Sequence, residues 1–88
     1  MGRVVKVPPG YTIEIILRER LKISVKEFST RMLMTLQKAE ELLAGAIEIN
    51  HDIALRLEKL TGFSATYWET RQKLYREYLL SQIPKEED

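Results

Sequence analysis

Apolar residues return every three or four positions along most of this chain, the spacing that places them on one face of a helix. Ile13, Ile16, Leu17 and Leu21 form such a stripe over about Thr12 to Leu21, flanked by Arg18, Glu19 and Arg20. Ahead of it, Val4, Val5 and Val7 suit a short extended arm. Pro8-Pro9-Gly10 is expected to end that arm in a turn, because two prolines fix φ and glycine accepts the bend. Ser24 predicts the cap of a second helix, and Glu27 three residues on completes a Ser-x-x-Glu capping box; Phe28 and Met32 face inward from it. Thr35 caps a third helix, with Leu36 or Ala39 turned inward beside Leu42 and Leu43, and Gly45 is its left-handed stop. Asn50 caps a fourth, which carries Ile53, Ala54, Leu57 and Leu60 inside and ends at Gly62. Ser64 opens the fifth and longest, limited by Pro84. On that helix Tyr67, Trp68, Leu74, Tyr75, Tyr78 and Leu79 recur at spacings near four and seven. Packing on helices one and four, chiefly through Trp68 and Tyr75, accounts for most of them.

Every connection is short and no internal repeat interrupts the series, so the pattern predicts one all-helical domain over residues 1–83 with a charged tail, PKEED, at 84–88. A chain of 88 residues supports one core and no more. Its 44% apolar and 31% charged residues are those of an ordinary globular protein. Apolar runs stop at three residues, as at Met32–Met34, far short of the roughly 20 that cross a bilayer. Val4-Val5 gives way at once to Lys6 and the prolines, unlike a secretory leader, and a cytoplasmic location is the expectation. No cysteine is present, which excludes disulfides and thiolate metal sites. The net charge of +1 announces no polyanion partner, although the tail holds one lysine against three acids and leaves the remainder weakly basic. Catalysis has little to converge on. His51 is the single histidine and reads as a first-turn helix residue, Glu40 and Glu41 diverge as helical neighbours, and no metal-binding, nucleophile-elbow or phosphate-loop motif occurs. The expectation is a protein that is not an enzyme and uses no metal or cofactor.

Two short helices from Ser24 and Thr35, joined by three residues, have the proportions of a helix-turn-helix. Around them stand Pro9-Gly10, Leu42-Leu43-Ala44-Gly45, Ala54-Leu55-Arg56-Leu57-Glu58 and Tyr67-Trp68. With these the chain resembles, over about residues 8 to 80, the antitoxin and regulator family typified by HigA, within the lambda-repressor-like (XRE) group. The resemblance implies a five-helix lambda-repressor-like DNA-binding domain with helices two and three as its helix-turn-helix. It also implies a homodimer on a pseudo-palindromic operator of double-stranded DNA, commonly that of its own operon, and a RelE-like ribonuclease toxin held inactive by the antitoxin.

A reading helix points its first residues at base edges while cations and hydroxyls around it hold phosphates. In this register Thr35, Leu36, Gln37, Lys38 and Glu41 face outward, and Ser24, Lys26 and Arg31 complete the expected DNA-binding set. Gln37 can offer adenine a donor and an acceptor together; Lys38 suits a phosphate or guanine; Leu36 suits a thymine methyl; Glu41 can only accept, as from cytosine. Glu40 is expected to pair with Lys38 or Arg31. Four residues, at three places, depart from the family pattern. Val25 replaces a glutamine after the cap, Leu33 replaces a turn glycine, and Ala46-Ile47 replace a cation. With cations this few, binding is expected to be salt-sensitive and to need the dimer. The aromatic surplus at the end of the chain, Tyr75, Tyr78, Leu79 and Ile83, with the Val4–Val7 arm, marks a dimer or partner interface. Two alternatives stay open: a degenerate helix-turn-helix used only for protein association, and the regulatory head of a longer protein.

Overall fold

The computed structural model describes residues 7–82, and all regular structure among them is helical. Helix α1 spans Pro9–Ile16 and runs on into a π-helical turn, Leu17–Leu21; α2 spans Val25–Arg31, α3 Leu36–Ala44, α4 His51–Thr61 and α5 Ala65–Ser81. Four of the helices begin at the residues whose side chains suit a cap. Ser24, Thr35, Asn50 and Ser64 each accept from the backbone N–H three residues on, at 3.1, 3.1, 2.8 and 3.0 Å. Gly45 and Gly62 end α3 and α4 in the left-handed conformation, at φ 82° and 87°. The capping box at Ser24 closes on one side only. The Glu27 carboxylate turns instead to Arg31, at 2.5 Å, an i,i+4 ion pair along α2.

The first helix corrects the expected turn at Pro8-Pro9-Gly10. It starts at Pro9, three residues ahead of Thr12, because proline at the first helical position gives up a donor that has no partner there and brings the right φ. Gly10 serves contact instead of a bend. A Cβ on it would overlap the carbonyl oxygen of Leu42 and come within 2.5 Å of that of Leu43, so α1 lies with its backbone on the end of α3. A Cβ on Gly45 would come within 2.9 Å of the Pro8 ring. The Pro-Gly and Leu-Leu-Ala-Gly motifs are thus two sides of a single helix contact.

The core is built from Ile13, Ile16 and Leu17 of α1, Phe28 and Met32 beside α2, and Ile53, Ala54 and Leu57 of α4. From α3 come Ala39 and Leu42, which settles the choice left by periodicity: Leu36 is the outward residue, 43% exposed. Leu21, Leu43 and Leu60 form a half-buried rim. Trp68 of α5 is fully buried, and its indole N–H donates to Thr61 Oγ1 at 3.3 Å. That hydroxyl also accepts from the Phe63 N–H and donates to the Leu57 carbonyl, which leaves no buried group of this corner unpaired.

The buried face of α5 is Ala65, Trp68 and Gln72: of the aromatic stripe only Trp68 is fully buried, as expected of it, while Tyr75 is half-buried. Gln72 accepts from the buried Ile49 N–H at 2.9 Å. One turn further on, Arg76 holds Glu48 through two nitrogens at 3.1 and 2.5 Å, which keeps the Glu48 carboxyl below its usual pKa range and raises the guanidinium's. Glu69 of the same helix lies 2.8 Å from His51 Nδ1. Glu69, Gln72 and Arg76, spaced three and four apart, therefore clamp residues 48–51 and fix where α4 begins.

Candidate nucleic-acid interface

Helices α2 and α3 stand against each other across a tight turn. The N–H groups of Leu33 and Met34 bond to Thr30 and Ser29 carbonyls at 3.1 and 3.0 Å, and Leu33 takes the left-handed conformation at φ 58° that the missing glycine would have filled. The turn is also held from outside. Arg56 Nη1 donates to the Met32 carbonyl at 2.8 Å, and Nη2 pairs with Asp52 at 2.8 Å. Arg56 was legible only as part of a motif. Its task, satisfying a terminal carbonyl of α2 from α4, depends on how the helices are stacked.

Because Ala39 and Leu42 face the core, the opposite face of α3 is free of the fold. Thr35, Leu36, Gln37 and Lys38 are all exposed at its first turn, as their spacing predicts. Lys38 makes no ion pair among the described residues. Gln37 Nε2 donates to Glu41 Oε2 at 3.3 Å, and Glu41 is half-buried at the helix flank. Ser24 and Lys26 are exposed at the start of α2. Arg31 does not reach Glu40, as expected of it, because Glu27 one turn earlier takes its guanidinium; Lys38 does not reach Glu40 either. Val25 is half-buried against the core, so the residue standing in the glutamine's place contributes packing. Ala46 is exposed and neutral.

Between the starts of α3 and α4 runs an open groove of about 560 Å³, lined by Ser29, Thr30, Thr35, Lys38 and Asn50, among others. The Lys38 ammonium meets there with two helix N-termini, whose dipoles favour an anion; the Asp52 carboxylate, paired with Arg56, lines the same groove, and the Ser29 and Thr30 hydroxyls donate to the Lys26 carbonyl. Sequence alone singled out Thr35 and Lys38 as DNA contacts but not Thr30 or Asn50, which line the same groove.

Of the residues expected to mark an interface, Tyr75 and Tyr78 are half-buried with ring centroids 6.4 Å apart. Leu79 and Leu80 are 46% and 60% exposed on the end of α5. Ile83, Val4 and Val5 lie outside the described residues. No helix among the described residues is long and apolar enough to cross a membrane.

Among solved structures, the chain is similar to a protein from Nostoc punctiforme described as a candidate antidote of a plasmid maintenance system. The TM-score is 0.81 at 29% identity, over 90% of this chain and 86% of that one. It is similar as well to an addiction module antidote protein of a HigA family from Coxiella burnetii, with TM-score 0.78 and 21% identity over 91% and 97% of the two chains. A third likeness is to a Pseudomonas aeruginosa protein in complex with its 18-base-pair operator DNA, with TM-score 0.74 and 21% identity over 89% and 84%. No protein-family model and no curated protein matches the sequence. The resemblance to HigA-like proteins carried by the motifs is thereby shown in the fold too, which is all-α with a five-helix, helix-turn-helix arrangement.

Proposed function

We propose that this HigA-like chain is the antitoxin of a plasmid-maintenance type of toxin–antitoxin pair. In this reading it occupies its own operator in the cytoplasm as a homodimer and neutralises a ribonuclease toxin. The strongest support is the open first turn of α3, where Thr35, Leu36, Gln37 and Lys38 project together from a helix whose other face is fixed in the core. Two structural neighbours are antidote proteins by description and a third holds its operator. In the major groove, Gln37 reads a base edge and Leu36 covers an apolar one. Lys38 and Lys26 neutralise phosphates, and the groove between α3 and α4 receives a phosphate through backbone N–H groups and the Thr35 hydroxyl.

Fluorescence anisotropy with duplex DNA from upstream of the gene, at two salt concentrations, tests this directly. Gln37→Ala is expected to cost about 1–3 kcal/mol on the specific duplex and little on a scrambled one. Lys38→Ala is expected to weaken both and to lower the salt slope by about 2, one for each protomer of the dimer. If neither substitution changes affinity, α3 is not the reading element. A second reading, protein association alone, is favoured by the exposed leucines around the turn, Leu33, Leu36 and Leu55. Absence of binding to any duplex at low salt would select it.

A further inference from the structure

We propose that Glu41 determines the base preference of Gln37 by orienting its amide toward adenine, without touching DNA itself. This rests on the DNA-reading role proposed above for α3. The two residues are i,i+4 neighbours, and the 3.3 Å contact runs from Gln37 Nε2 to Glu41 Oε2. A carboxylate accepts and does not donate, so the nitrogen and not the oxygen of the amide must face it. The amide nitrogen carries two hydrogens. In the proposed arrangement the hydrogen anti to Oε1 goes to Glu41, and the one syn to Oε1 stays beside the carbonyl oxygen.

That leaves a donor and an acceptor side by side on the edge of Gln37 directed away from Glu41. Adenine presents their complement in the major groove, an acceptor at N7 and a donor at N6, whereas guanine presents two acceptors. Without Glu41 the amide turns freely about its last torsion and can offer nitrogen to guanine as readily as the mixed edge to adenine. The half-buried position of Glu41 at the helix flank, beside the exposed Gln37, suits a residue that sets an orientation from behind the contact. The carboxylate also repels phosphates, so its effects on preference and on affinity have opposite signs.

The experiment selects binders from a randomised duplex pool with the full-length wild type, Glu41→Ala, Glu41→Gln and Gln37→Ala, then measures affinities for the selected duplex with adenine, guanine or 7-deazaadenine at the chosen position. The wild type should prefer adenine at one position per half-site by about 5- to 150-fold. Gln37→Ala should lose that preference. Glu41→Ala should bind DNA as tightly or more tightly while its preference at the same position falls to near parity. Glu41→Gln sheds the charge but can donate as well as accept, so it no longer dictates which end of the Gln37 amide faces it; it should bind more tightly with a reduced preference. A folding defect would lower affinity and preference together. Full retention of the adenine preference in Glu41→Ala overturns the proposal. If the folded wild type selects no duplex at all, the DNA-reading role fails, and this assignment fails with it.

Discussion

Leu33 is held at φ 58° with 76% of its surface exposed, so the fold gains little from its side chain and carries the strain of its backbone. A branched residue in the left-handed region costs about 1–2 kcal/mol, and glycine there loses about 0.5–1 kcal/mol in unfolded-chain entropy. Leu33→Gly is therefore expected to stabilise the domain by about 0.5–1 kcal/mol, a rise in Tm of roughly 2–8 °C for a domain of this size. Thermal unfolding followed by circular dichroism checks it. A fall in Tm would mean that Leu33 packs on Leu55 strongly enough to outweigh the strain. Arg56 bears on the same turn, since its guanidinium satisfies the Met32 carbonyl that the abrupt end of α2 leaves without a helical donor. The residue that strains the turn thus belongs to the turn itself, and the residue that braces it comes from α4.

Between elements, the contact of α1 with α3 reverses an ordinary rule. Alanine is better than glycine inside a helix by about 1 kcal/mol, yet at position 10 a methyl group would meet two backbone carbonyls that cannot rotate aside. Gly10→Ala is expected to destabilise by about 1–3 kcal/mol in denaturant unfolding. A neutral or stabilising result would show that the helices can separate at no cost. The helix starts at Ser24, Thr35, Asn50 and Ser64 were legible in sequence because a cap is local: one side chain and an N–H three residues away. The start of α1 was not, since Pro9-Gly10 is compatible with a turn until the end of α3 lies against it. Nor was the inner face of α5. Ala65 and Gln72 carry no strong apolar signal, and only the position of Ile49 makes a glutamine the right residue to bury. On α3 the outward set followed from Ala39 and Leu42 facing in, whereas the Gln37–Glu41 bond had the right spacing but competed with simple solvation of both side chains.

For the whole molecule, the supply of positive charge sets how DNA would be held in the proposed role. Lys26 and Lys38 make no ion pair among the described residues, while Arg31 is tied to Glu27. In the proposed role two such lysines per protomer would neutralise about two phosphates, each contributing about −0.9 to the dependence of log K on log salt. A dimer should therefore show a slope near −4 and an isolated protomer one near −2. The end of α5 is the proposed pairing surface, because Leu79 and Leu80 are exposed there near the half-buried Tyr75 and Tyr78. Leu79→Gln with Leu80→Gln removes that surface while keeping charge and helix propensity, so the fold should keep its Tm and helical signal. Sedimentation should then report a monomer, and the salt slope on operator DNA should fall by about half. If the doubly substituted protein still sediments as a dimer with an unchanged slope, the pairing surface lies elsewhere on the molecule.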